Sequence, residues 1–274
     1  MNKMDRLRFL NKYNLVSMVL LFSCLLLSWF FSSEIYYWLF IADFQNEPDL
    51  VGLDPRATVL QSLNQLRSWE LYIDLATRYT IYFLPIFPLL PILNFYNEKN
   101  GYLSYACIRL RKFKMHMLTT ILKYSFISGL CVAIPYIIFF SIGNIFITDH
   151  LDYVGNFADI LGPSFYNNYP FLFYIILATT IYFTIGFTFG MMGIAVAVWT
   201  NKSYLIVVIP LVYYIVIGNL TETFKLPLLN IMNSVLSYNT LYYTFEVFVP
   251  LIIPLIISVG SIVYRYTKGD ALDY

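Results

Sequence analysis

Long stretches without a charged side chain limit the fold of this chain more strongly than any other feature, and six of them read as membrane crossings. They are residues 13–33, 79–97, 124–148, 160–201, 203–221 and 247–264. About 20 apolar residues wound as a helix match the roughly 30 Å hydrocarbon core of a bilayer. The stretch 160–201 exceeds one crossing, and its start, Gly162–Pro170, is polar and turn-like. The expected spans are therefore about 13–33, 79–96, 120–147, 171–200, 203–220 and 246–264. A transmembrane β-barrel shows short alternating segments instead. Charged residues make up only 12% of the chain, about half the usual share of a soluble domain. An all-α polytopic membrane protein with six helices is the expected fold class.

Charge also orients the spans. With the N-terminus in the cytoplasm, 13 of the 17 Lys and Arg residues fall on the cytoplasmic side. Only Arg56, Arg67, Arg78 and Lys225 fall outside. The positive-inside rule then places both termini in the cytoplasm. The first span is expected to be a retained anchor, because it is longer than a signal-peptide core and no A-x-A site follows it. A net charge of +1 gives no basic footprint for nucleic acid.

The connections are unequal. The external segment 34–78 contains Ala57–Ala76, where Val59, Leu63, Leu66 and Tyr72 fall near helical spacing. This reads as an amphipathic helix, either on the outer surface or packed on the spans. The loop after span two starts Asn97-Glu98-Lys99-Asn100-Gly101, whose Asn-Gly pair marks a turn. It continues with Leu103, Cys107, Leu110 and Phe113 at helical spacing and with Arg109, Arg111, Lys112 and Lys114 beside them. A short helix from Tyr102 onward, in the plane of the inner interface, fits this pattern. Such a helix can anchor to anionic headgroups or dock a cytosolic partner. The next inner loop is only about Asn201–Tyr204. The last outer connection, 221–245, is apolar but interrupted by Pro227, Asn230, Asn233 and Asn239. It reads as a re-entrant hairpin of short helices, with non-helical backbone covered by protein or water. No internal repeat of the inverted-repeat transporters is evident.

The spans hold almost no ionisable groups. Lys123 and Glu246 sit at span ends, where snorkelling explains them. Ion-coupled carriers need mid-membrane Asp, Glu or His. His116 and His150 fall on opposite sides of the predicted topology and cannot share a metal. No hydrolase constellation and no phosphate-binding G-x-x-x-x-G-K-[ST] loop occurs. Catalysis, cofactors and metal on this chain are not expected. Other features bear on shape. Pro85, Pro88 and Pro91 should bend span two. Span six holds Pro250 and Pro254. Gly186, Gly190 and Gly193 in span four permit close helix approach. Phe183 and Phe187 are candidates to line an apolar route. For each of these, static packing competes with a gated pathway.

This arrangement resembles the membrane subunit of an ABC-2-type (type V-like) exporter. The likeness rests on topology along the whole chain and on Phe95-Tyr96-Asn97-Glu98-Lys99-Asn100-Gly101 followed by Arg109 and Arg111. In that family an acidic residue, a glycine and a basic helix follow span two. The resemblance implies that 97–118 is a coupling helix, with Glu98, Gly101, Arg109 and Arg111 facing a separate cytosolic ATPase. It implies that Asn201 and Lys202 form a second contact. It further implies two membrane subunits, identical or different, with two ATPases carrying ATP and Mg, and re-entrant helices near Leu226–Tyr243. The expected function is ATP-driven export of an amphipathic peptide, antibiotic or lipid-like molecule across a cell membrane. High Phe, Tyr, Ile and Asn usage points to a bacterial source. The alternatives are a non-transporting sensor, assembly factor or immunity protein acting through 34–78, and a secondary transporter.

Overall fold

The computed structural model describes residues 11–45, 50–52, 54–103, 105, 113–151, 154–162, 164–239 and 245–268. The described residues are helical, with no strand and a single isolated bridge between Ser68 and Asp149. The helices are α1 (Lys12–Ser32), α2 (Ile35–Phe40), α3 (Pro55–Gln65), α4 (Trp69–Phe83), α5 (Ile86–Glu98), α6 (Phe113–Phe146), α7 (Phe165–Asn168), α8 (Pro170–Leu177), α9 (Phe183–Trp199), α10 (Leu205–Thr223), α11 (Ile231–Val235) and α12 (Val249–Lys268). Five helical segments are long and apolar enough to cross a membrane: α1, α6, the continuous run Pro170–Trp199, α10 and Glu246–Thr267. The bent pair Trp69–Phe83 and Ile86–Leu103 makes a sixth if counted as one crossing. These features are those of a multi-pass membrane protein.

α9 is the axis of the bundle. It packs mainly against α6, α12, α5 and α10, while α1 packs on α4, α6 and α5. Its run Pro170–Trp199 is the most buried of the candidate spans. α1, α10 and α12 turn apolar faces outward, including Leu15, Val19 and Leu27, Val208 and Val212, and Ile252 and Ile256. Apolar exposure of this extent on long helices is a lipid-facing surface.

Two ends can be told apart. One carries Lys12, Lys99, Lys202 and Arg265 and is called the basic end. Contacts across it join Asn97 to Tyr13 and Trp199 to Tyr264. The opposite end joins Trp29 to Phe146 and Glu70 to Tyr166.

Several local expectations are corrected. Ala57–Ala76 is not one helix. α3 starts at Pro55 with Asp54 as its N-cap, the Oδ1 accepting from the Arg56 amide at 3.0 Å. It ends at Gln65, and Ser68 then caps a new helix, its Oγ accepting from the Leu71 amide at 3.4 Å. Trp69, Tyr72, Ile73, Ala76, Thr77 and Thr80 are buried at helical spacing on one face of α4. The helix that leads into the expected span two therefore begins ten residues before residue 79. Glu70, Asp74 and Arg78 lie on the less buried face of α4, which is why the charge gap cut the helix short. The Asn100-Gly101 pair does not form a turn either. Lys99–Leu103 continues α5 as a π-helical turn, anchored by buried Lys99 and Leu103. Residues 113–118 do not belong to a separate interfacial helix but start α6. At 1.5 Å per residue, the 34 residues of α6 exceed the bilayer core by several turns. Arg109 and Arg111 lie outside the described residues. Before α12 the chain forms three short pieces, Pro227–Leu229, α11 and Ser237–Asn239.

Candidate functional site

The basic end brings two of the expected contact segments together. The Tyr96 hydroxyl, near the end of α5, donates to the Asn201 carbonyl in the α9–α10 loop. Three residues on, the Lys99 Nζ donates to the Ala197 carbonyl at 2.8 Å, with only 4% of the lysine exposed. Ala197 belongs to the last turn of α9, whose carbonyls have no helical donor ahead of them. The ammonium thus caps the central helix at its negative end. The loop itself is ordered by the Thr200 Oγ1, which accepts from the Lys202 amide at 3.1 Å. The Asn201 and Lys202 side chains are exposed.

Glu98 lies beside the Tyr124 hydroxyl of α6, which accepts from Asn94 Nδ2 at 2.5 Å. Glu98 is half-buried. Gly101 has nothing within 4 Å of the position a Cβ would take, so packing does not require glycine there. Beside this junction Arg265 lies 5.1 Å over the Trp199 ring, and Trp199 Nε1 donates to Ser261 Oγ at 2.8 Å. The result is a stiff patch joining α5, α6, α9 and α12.

The expected pathway residues have another placement. Pro85 sits at the break between α4 and α5, where the axis turns by 44°. Pro88 and Pro91 are buried in α5. Gly186 and Gly190 lie at the crossing of α9 with α6. A Cβ at Gly186 would come 2.8 Å from the Ser128 carbonyl oxygen, and one at Gly190 2.6 Å from Ser128 Cβ. Phe183 fills the space over Gly129 and meets Phe126 edge to face. Phe187 stacks beside it. None of these residues lines any of the four cavities described in the bundle. His116 touches Tyr102 at the basic end, and His150 meets Tyr166 at the other.

The opposite end is an aromatic and polar plug. Tyr72 stacks on Phe139 at 4.3 Å and Trp69 on Tyr174 at 5.3 Å. Glu70 Oε1 accepts from the Tyr166 hydroxyl and from the Leu151 amide, the latter at 2.8 Å. Burial raises the Tyr166 phenol well above its ordinary pKa, and the Glu70 carboxylate adds to the effect. These bonds fasten the segment after α6 onto α4, together with the Trp69 amide, which donates to the Asp149 carbonyl at 3.1 Å.

Next to the plug, a cavity of about 870 Å3 opens between α4, the end of α10 and the stretch Pro227–Leu236. Asp74 and Arg78 line it from α4, Glu222 and Lys225 from α10 and its end, with Ile81 and Met232 among its apolar walls. The sequence reading missed this group. Its signal was present as two acid–base pairs, four and three residues apart, at the ends of two apolar stretches.

Searches with known family models, curated proteins and solved structures found no match to this chain.

Proposed function

We propose that this chain is the membrane-spanning subunit of an ATP-binding-cassette exporter, driven by a separate cytosolic ATPase. One observation carries the reading. The end of α5 and the α9–α10 loop, the two segments that the family likeness assigns to ATPase contact, are hydrogen-bonded to each other and to the central helix. A force applied to either segment passes to α9 without slack. Transmission of that kind needs a stiff element with two packing states, not a proton relay inside the membrane. In this reading the basic end faces the cytoplasm of a bacterial cell, with both termini there. Glu98, Gly101, Arg109, Arg111, Asn201 and Lys202 form the ATPase footprint. ATP and Mg bind the ATPase, and a second membrane subunit, identical or different, completes the transporter. The cargo is an amphipathic peptide, antibiotic or lipid-like molecule.

Purification in mild detergent with the protein encoded beside it tests the assignment. A nucleotide-binding ATPase should co-elute, and ATP-driven transport should appear in reconstituted vesicles. Tyr96→Phe and Asn201→Ala should reduce transport per ATP while leaving the fold intact. No associated ATPase, together with no nucleotide-dependent transport, returns the chain to the sensor or immunity class.

A further inference from the structure

We infer that the cavity between α4, α10 and Pro227–Leu236 is a binding site for a zwitterionic group that carries an apolar part. Its volume, about 870 Å3, lies in the range of small-molecule sites. Each of its two charged walls offers both signs: Asp74 with Arg78, and Glu222 with Lys225.

These charges do not neutralise one another. An Asp four residues before an Arg on a helix ordinarily pairs with it. Here the Tyr238 hydroxyl reaches Asp74 Oδ1 instead, at 3.3 Å, and shares a 3.2 Å contact with Thr77 Oγ1. Among the described residues, the side chains of Arg78, Glu222 and Lys225 have no hydrogen-bond or ion-pair partner. Lys225 adds a second observation. It has φ +53°, one of two non-glycine residues in the left-handed region among the described residues. It ends α10 in a Schellman-type cap, with the Leu226 amide on the Thr221 carbonyl at 2.8 Å. Glycine is the residue without strain at that position. Lysine there places a cation at the cavity rim at a conformational cost, and strain of that kind gathers at ligand sites.

The lining sums to zero charge. A simple anion would leave Asp74 and Glu222 unmatched, and a simple cation would leave Arg78 and Lys225. A zwitterion forms charge-assisted bonds with both signs at once, and Ile81 and Met232 take the apolar part. A peptide with free termini and an ethanolamine phospholipid headgroup share this chemistry. The site does not depend on the transport reading, because binding is a property of this chain alone.

The test uses the full chain in nanodiscs of phosphatidylglycerol, which carries no amine. Trialanine and dihexanoyl-phosphatidylethanolamine are titrated in turn by calorimetry, alongside the N-acetylated form of each. At least one zwitterion should bind saturably. Trialanine alone identifies a free zwitterion, and the phospholipid alone identifies a headgroup. The acetylated form, Arg78→Gln and Glu222→Gln should each weaken binding about tenfold or more, as expected for one lost charge-assisted bond. Both variants are at exposed, unpaired positions; Lys225→Gln replaces either one if it does not elute as the parent does. The proposal is overturned if neither zwitterion binds, if acetylation makes no difference, or if the variants bind as tightly as the parent. None of these results bears on ATPase association.

Discussion

The hydroxyl of Tyr214 donates a 2.6 Å hydrogen bond to the carbonyl of Ile81, the acceptor that Pro85 leaves without its helical donor. Proline has no N–H, so the carbonyl four residues before it is unsatisfied in a helix. The same device recurs one turn and a half further on. Pro91 leaves the Phe87 carbonyl open, and Ser17 Oγ from α1 donates to it at 2.7 Å. The bend between α4 and α5 is thus held from two sides, by α10 and by α1. It is a built feature of the bundle, not a weak point in a long helix.

Removing one of these hydroxyls should therefore destabilise the bend specifically. Tyr214→Phe keeps the ring and deletes the donor, leaving a buried carbonyl unpaired at about 1–3 kcal/mol. Thermal unfolding in detergent should show a lower midpoint. Pro85→Ala added to Tyr214→Phe should recover part of the loss, because the new amide can reach the Ile81 carbonyl. A further loss in the double variant would show that the proline bend itself, not the hydrogen bond, is the stabilising element.

The glycines separate packing from function. A Cβ at Gly186 meets backbone, 2.8 Å from the Ser128 carbonyl oxygen, so the α6–α9 crossing must open to admit it. Gly186→Ala should lower stability by about 1–3 kcal/mol, as overpacking does. Gly101→Ala has open space around it and should be neutral or slightly stabilising, since alanine favours helix by up to ~1 kcal/mol. Melting curves of the two variants distinguish these outcomes. If Gly101→Ala folds normally yet abolishes the proposed ATP-driven transport, the glycine belongs to a partner contact.

The apolar helices were legible because membrane crossing imposes a length and a charge rule that survive in a single sequence. Local boundaries were less legible wherever charge and burial parted company. Trp69–Thr80 is a buried helical face, but Glu70, Asp74 and Arg78 on its other side broke the charge-free run and hid it. Gly101 was misread as a turn because its local signal ignores Lys99 and Leu103, which are held in the helix by tertiary burial. Gly186 and Gly190 were readable as small residues permitting close approach. Which helix approaches them is a long-range fact that spacing does not contain. The cavity group was beyond reach for the same reason, since Asp74 and Glu222 are far apart in the chain.

The plug at the opposite end should be sensitive to alkali. The Tyr166 phenol is raised by burial above the ordinary value of 10.0, so the folded state keeps its proton where the unfolded state releases it. The stability it contributes is complete below pH 10 and falls as pH rises beyond that. The limit is about 1.4 kcal/mol per pH unit. Tyr166→Phe should flatten the decline in melting temperature between about pH 10 and 11. It should also release the bond to Glu70 and lower the midpoint at neutral pH. An unchanged slope would assign the alkaline loss to other buried tyrosines such as Tyr238, which burial also raises.

Lys99 provides the sharpest test of the basic end. Its ammonium is the donor for the Ala197 carbonyl, and its removal leaves the last turn of α9 without that cap. Lys99→Met preserves most of the apolar stem and should cost about 1–3 kcal/mol, less whatever is recovered by no longer burying a charge. The two effects oppose each other in global stability, so a local readout is needed. Amide hydrogen exchange at Trp199, Thr200 and Asn201 should accelerate in Lys99→Met, while exchange in the middle of α9 stays slow. Tyr96→Phe should loosen Asn201 without freeing Trp199, because it acts on the loop and not on the helix end. Equal protection of the α9 terminus in Lys99→Met and the parent would mean that the lysine is buried there without capping the helix.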